Sequence, residues 1–300
     1  MTPAFTTRRR RDAPLPAGLG LPAGIAWVNG RMCRGSEAAI SIFDRGARDG
    51  EGLFESVRVE SGRPLCWDRH LERLIVSAAE LGFPVPPHPT TLAEALAQVL
   101  EANQMRDAAA RLTVTRGVPG GCPTRAGSWI TVEPLASRLW HGTKRSAAAL
   151  VLSAVPFRPG TLGRFKTTGR LPYSLAREEA RAAGADEALL VSADDQVLEG
   201  AVSNVFIVSR GVVLTPPLAA GILPGIVREQ VLQLCGTLGI EAREAALTVA
   251  ELMRADEVFV TNAIQQVVPA VSLAGRTIAE RAVAMRLAEA CRSQCRNGAH

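Results

Sequence analysis

The chain has 300 residues, 47% of them hydrophobic, with 34 basic and 29 acidic residues and a formal net charge of +5. That composition fits a globular polypeptide long enough for two domains and excludes a membrane protein, since no apolar run approaches the roughly 18 residues a spanning helix needs. It also argues against a secreted chain, because the first 24 residues lack an apolar signal centre, and against a nucleic-acid partner, because the charge is concentrated in four arginines at 8–11.

Residues 1–24 read as a disordered basic tail rich in Thr, Pro and Gly. Beyond it, 25–28 is expected as a strand, Asn29-Gly30 as a hairpin turn and 53–59 as a second strand. Helical apolar spacing covers 70–82, with a Gly stop, and 91–103; 111–116 and 128–132 again read as strands. Periodicity then fails around Pro134, Trp140, His141 and Gly142, which places an interdomain linker at 134–147 between an α+β domain at 25–133 and a larger domain at 148–300.

In the second domain, strands are expected at 150–154, 187–192, 204–208, 212–215 and 257–261. Helices are expected at 171–183, 226–238, 249–254 and 278–295. The six cysteines (33, 66, 122, 235, 291 and 295) form no CxxC pair, and the histidines (70, 88, 141 and 300) are dispersed, so reduced thiols and no metal site are expected. Cys291 and Cys295 share a helix face, but two thiols without further ligands do not make a metal site.

Of the 34 basic residues only Lys144 and Lys166 are lysines, so chemistry that needs a primary amine has two candidates. Lys166 stands in Arg164-Phe165-Lys166-Thr167-Thr168-Gly169-Arg170-Leu171-Pro172-Tyr173, a turn feeding a helix, where burial can lower an amine's pKa as a Schiff-base lysine requires. Lys144 lies in a polar stretch. The turn from Gly221 to Arg228 opens a helix whose first N–H groups suit an anion. Glu199 falls in a turn before apolar Val205-Phe206-Ile207-Val208, where a carboxylate can hold a protonated ring nitrogen.

Taken in order, these segments resemble the class IV aminotransferases, the fold-type-IV enzymes dependent on pyridoxal 5'-phosphate. The resemblance runs from about Trp27 to Ala270. It rests on Asp44-Arg45-Gly46, Asp49 to Val59, His70-Leu71-Glu72-Arg73-Leu74, the Lys166 segment, Gly184 to Leu190, Glu199 to Phe206, Gly221 to Arg228, and Thr261-Asn262-Ala263 leading to Pro269. It implies a small N-terminal α+β domain and a larger C-terminal domain with a barrel-like β core, the cofactor between them, in a homodimer; a cytoplasmic site is expected from the lack of an apolar signal centre or spanning run.

By position, the resemblance implies that Lys166 forms the Schiff base and shuttles the substrate Cα proton, while Glu199 pairs with the pyridinium nitrogen. Arg73 and the N–H groups of Ile226 and Val227 bind the phosphate, with Ser203, Asn204, Asn262 and Ala263 also at the cofactor. Phe54, Arg58, Arg170 and Asn262 are expected around a small-molecule amino substrate. Arg170-Leu171 and Thr261-Asn262-Ala263 resemble 4-amino-4-deoxychorismate lyases, which release 4-aminobenzoate and pyruvate, and that reaction is the leading expectation. Gly169 departs from the Asn usual at its position, and Ser203-Asn204 with Gly221 to Ile226 resemble D-amino-acid transaminases. Transamination of D- or branched-chain amino acids is therefore the alternative.

Overall fold

A computed structural model describes residues 24–120, 126–140 and 147–297. The arginines at 8–11, Cys122, His141, Gly142, Lys144, His300 and the side chain of Cys295 lie outside the described residues.

The first half is an antiparallel sheet of six strands. In chain order these are β1 (Ile25–Val28), β2 (Arg31–Arg34), β3 (Gly52–Glu60), β4 (Arg63–Pro64), β5 (Ala108–Thr115) and β6 (Gly127–Pro134), arranged β2-β1-β6-β5-β3-β4. Asn29 and Gly30 both take positive φ, as a two-residue hairpin turn demands. A short helix, α1 (Arg45–Arg48), is capped by the Asp44 carboxylate on Gly46 N–H.

Two longer helices, α2 (Trp67–Glu80) and α3 (Pro89–Ala102), cover the sheet. In α2 the buried Leu71, Leu74 and Ala78 recur at helical spacing, and in α3 Leu92, Leu96 and Val99 do the same; both stripes meet Val57, Leu112 and Ile130 of the sheet in one core. The stretch expected as a linker contains a helical turn, α4 (Leu135–Arg138), held by the buried Leu135.

Ten strands make the second sheet: β7 (Ala148–Leu152), β8 (Glu187–Val191), β9 (Gln196–Gly200), β10 (Asn204–Ser209), β11 (Val212–Thr215), β12 (Ala242–Glu244), β13 (Leu247–Thr248), β14 (Glu257–Asn262), β15 (Gln266–Leu273) and β16 (Arg276–Thr277). The path is β12-β11-β10-β14-β15-β7-β8-β9-β13, with β16 on β15. Leu150, Leu189, Val197, Val205, Val258 and Val268, from six different strands, share one core, so the sheet curls around its own inner face.

Helices α5 (Leu171–Ala182), α6 (Ile226–Thr237), α7 (Val249–Arg254) and α8 (Ala282–Asn297) complete this half. On β10, Val205 and Ile207 point into the curled core, while Phe206 and Val208 point outward beneath α6 and α8. Both faces are covered, which explains an apolar run without polar alternation. Phe206 stacks on Phe259 of β14 at 4.8 Å between centroids.

The two halves are joined through their backbones. Phe54 N–H donates to the Lys166 carbonyl at 2.9 Å, Thr168 N–H to the Gly52 carbonyl at 2.8 Å, and Leu53 bridges Thr167. The segment after Lys166 thus lies as a short extra strand along β3. Gly52 permits the approach: a Cβ there would sit 2.7 and 2.8 Å from the Thr168 side chain. Gly52→Ala is expected to lower stability by about 1–3 kcal/mol in urea unfolding, the cost of overpacking. In a Thr168→Ala background, where the clashing atoms are gone, the same substitution is expected to cost markedly less.

Candidate active site

A cavity of about 460 Å³ opens between the halves, and Lys166, the sole lysine among the described residues, lines it. Half-buried, its Nζ lies 4.8 Å from the centre of the Phe54 ring. Burial and then the positive charge of Arg73 push the amine down to about 7, against the pull of Glu55. Near neutral pH a large share of it is therefore an uncharged nucleophile.

The wall from the first half is a buried charge network. Glu55 on β3, 1% exposed, takes Arg73 Nε at 2.8 Å and Nη2 at 2.6 Å, and His70 Nδ1 at 2.7 Å. Burial alone pushes such a carboxyl up, but Arg73 and His70 together outweigh it and hold Glu55 at about 2. His70 is pushed down by burial despite Glu55, so it stays neutral, with Nδ1–H donating to the carboxylate. The remaining fork of Arg73 crosses to the second half, where Nη1 donates to the Pro224 carbonyl at 2.8 Å.

Pro224 precedes α6, so Arg73 is tied to the loop in front of that helix's N-terminus. Ile226 and Val227 open the helix and line the cavity, and first-turn N–H groups have no partner within their own helix. Asn204 sets this loop: its Nδ2 donates to the Leu223 carbonyl at 2.9 Å, and its Oδ1 occupies the space a Cβ on Gly225 would need. The neighbouring Ser203 hydroxyl donates to buried Glu187 at 2.8 Å. Burial pushes that carboxyl up to about 7.

Glu199 stands on β9 and not in a turn as the sequence suggested. The pairing of β8 and β9 slips between Leu190 and Val191, giving β9 an extra residue. This bulge turns Glu199 to the α5 side of the sheet while Val197 stays in the curled core. One Glu199 oxygen accepts Leu223 N–H at 3.1 Å and the other faces the Tyr173 hydroxyl at 3.4 Å. Burial raises the carboxyl to about 7 against these donors and the charges of Arg170 and Lys166.

Phe54, Arg73, Lys166, Arg170, Glu199, Ser203, Asn204, Ile226, Val227, Asn262 and Ala263 are brought together around the cavity. Arg58 is not among its lining residues: it pairs with Glu60 and donates from Nη1 to the Ile264 carbonyl at 2.6 Å, so it braces a wall from behind. Arg170 donates to the Ala201 carbonyl at 2.9 Å, with its guanidinium 3.3 Å from the centre of the Tyr173 ring. The Asn262 side-chain oxygen accepts the N–H groups of Ile264 and Gln265.

Sequence reasoning missed Glu55, His70, Tyr173 and Arg111. Two of them carried a signal: His70 sits three residues before Arg73 on one helix face, and Tyr173 is the chain's single tyrosine. Arg111 lies 3.7 Å over Phe54 and makes no ion pair among the described residues. Burial, then Arg138 and Arg170, push its guanidinium down to about 10. Among the described residues no three His, Cys, Asp or Glu side chains group in a way that could hold a metal ion, and no helix is long and apolar enough to cross a membrane.

The family model for amino-transferase class IV matches residues 52–273. The chain belongs to the class IV aminotransferases. It is 34% identical over 251 residues to a D-alanine aminotransferase of Bacillus licheniformis, covering 83% of this chain and 88% of that one. It is 29% identical over 270 residues to the branched-chain-amino-acid aminotransferase of Escherichia coli (strain K12), covering 86% and 87%. Among solved structures, the branched-chain aminotransferase from the thermophilic archaeon Thermoproteus uzoniensis with norvaline superposes with a TM-score of 0.83 at 29% identity, covering 93% of this chain and 97% of that one.

Enzymes of this family use pyridoxal 5'-phosphate, and the cavity suits that group. It offers an amine near neutrality, a helix N-terminus beside an arginine, a carboxylate, and the Thr261 hydroxyl, buried with no hydrogen-bond partner among the described residues. Glu55→Ala is expected to destabilise the protein by about 3 kcal/mol at pH 7, because it strands the largely desolvated Arg73 without its carboxylate partner. Since the folded pKa lies below the ordinary 4.5, the wild-type advantage is full above that value and fades as pH falls toward about 2. Urea titrations of both proteins across that range would show it.

Proposed function

We propose that this enzyme is a transaminase that moves an amino group from a D- or branched-chain amino acid to a 2-oxo acid. The observation that carries this reading over the lyase is the engagement of Arg170 and Asn262. One Arg170 Nη donates to the Ala201 carbonyl with the guanidinium held over the Tyr173 ring, and the Asn262 side-chain oxygen accepts two backbone N–H groups, so both side chains are already partly engaged in shaping the cavity wall. The relatives named D-alanine and branched-chain-amino-acid aminotransferase support the same choice. The lyase remains the second reading, favoured by the order Arg170-Leu171 and by Thr261-Asn262-Ala263.

In the proposed assignment Arg73, with the N–H groups of Ile226 and Val227, holds the cofactor phosphate, and Glu199 faces the ring nitrogen. Bound there, pyridoxal phosphate supplies an electron sink for the amine-bearing carbon. Lys166 anchors the cofactor and takes up and returns the proton at that carbon. Arg111 makes no ion pair among the described residues and lies beside Arg138 and Arg170, with the charge of Glu133 also acting on it; it fits a second carboxylate on the substrate, as in a dicarboxylic 2-oxo acid acceptor.

We also propose two domains, 25–133 and 148–300, joined through the 134–147 segment, and a cytoplasmic homodimer. Support for the dimer comes from an exposed apolar loop in which Ile42 is 78% and Phe43 61% accessible, with Val118 also exposed.

The purified enzyme is expected to show an absorption band of bound cofactor that Lys166→Ala lacks, and to lose it on adding D-alanine or an L-branched amino acid. Release of 4-aminobenzoate and pyruvate from 4-amino-4-deoxychorismate, with the band kept, would establish the lyase instead. Arg111→Leu is expected to raise KM for a dicarboxylic acceptor by roughly ten- to hundredfold, the worth of one charge-assisted bond, with little change for pyruvate. Light scattering is expected to give a dimer mass that Ile42→Asp/Phe43→Asp reduces to a monomer.

A further inference from the structure

Tyr173 is the single tyrosine of the chain and stands two residues into α5, on the face turned toward β9. Its ring is 8% exposed and clamped: the Arg170 guanidinium lies 3.3 Å from its centre, and Phe157 meets it edge-on at 4.9 Å. A phenylalanine would fill this slot equally well. What it would lack is the hydroxyl, whose acceptor is the Glu199 carboxylate at 3.4 Å. A buried phenol is tolerated when such an acceptor is present.

Glu199 needs the partner as much as Tyr173 does. At 4% exposure it is cut off from water, and burial favours its protonated form. Leu223 N–H satisfies one oxygen and the Tyr173 hydroxyl faces the other, while the positive charges acting on it come from Arg170 and Lys166. The donor on each oxygen fixes the orientation of the carboxylate and favours its ionised form against the burial that raises it to about 7. We propose that Tyr173, clamped by Arg170, is a positioning residue that holds the Glu199 carboxylate ionised and fixed in the cavity. This rests on the assignment of Glu199 to the cofactor ring.

The coupling is tested first without cofactor. Because the chain has one tyrosine, tyrosinate absorbance of the folded apoprotein reports Tyr173 alone, with circular dichroism confirming the fold at each pH. In the wild type, burial and then the Glu199 charge push this phenol up to about 12. In Glu199→Gln the phenol is expected to titrate about one pH unit lower, because the neighbouring negative charge is gone. An unchanged titration would overturn the proposal.

The consequence is tested with the holoenzyme. Tyr173→Phe keeps the clamped ring and is expected to slow the amino-acid half-reaction, read from the cofactor absorption, by roughly tenfold with little change in amino-acid KM. In a Glu199→Gln background the same substitution is expected to cost nothing further, since Tyr173 acts through Glu199. Losses that multiply would mean that Tyr173 acts on its own and would refute the coupling. A wild-type protein that binds no cofactor would remove the transaminase reading, while the apoprotein titration would still decide whether the two side chains are coupled.

Discussion

A half-buried primary amine surrounded by guanidinium groups is the constraint on which the rest of this structure turns. Lys166 shares its cavity with Arg73, Arg111 and Arg170, and none of these can release its charge at ordinary pH. The amine, unlike these guanidinium groups, can lose its charge, and near neutral pH a large share of it does. Desolvation and like-charge repulsion act in the same direction on the amine, against the pull of Glu55 and Glu199.

Such a concentration of positive charge needs compensation, and two buried carboxylates provide it in different ways. Glu55 is fully committed: it locks Arg73 in a two-pronged pair, keeps His70 in one tautomer and stays ionised far below neutrality. Glu199 is held more lightly, by one backbone N–H and one phenol, and its proton affinity lies close to that of Lys166. A carboxylate of the first kind builds a wall. One of the second kind responds to whatever charge is brought beside it, which suits a group facing a ligand.

Much of the fold was legible in the sequence because its signals are local. The apolar stripes of α2 and α3, the Asn29-Gly30 turn and the two-sided run at Val205 to Val208 each follow from spacing along a few residues. Lys166, Arg73 and the α6 N-terminus were legible from family resemblance together with composition. The misses have a common cause. Glu199 was read as a turn residue because a one-residue slip between β8 and β9 leaves no mark in local pattern. Arg58, expected around the substrate by resemblance, leads away to the Ile264 carbonyl, a contact 206 residues distant in sequence that no local pattern announces. The partnership of Glu55 with His70 and Arg73 joins residues 15 and 18 apart across a sheet and a helix, and only the folded arrangement shows it.

The backbone pairing of the Lys166 segment with β3 also limits how the molecule can move. The reactive lysine belongs by sequence to the second half, yet its carbonyl is held by an N–H of the first. Swinging the halves apart at this point would break main-chain hydrogen bonds and shift the amine itself. Substrate must therefore enter past walls that carry no such pairing, and a fragment containing either half alone would leave the lysine without the strand that sets its position.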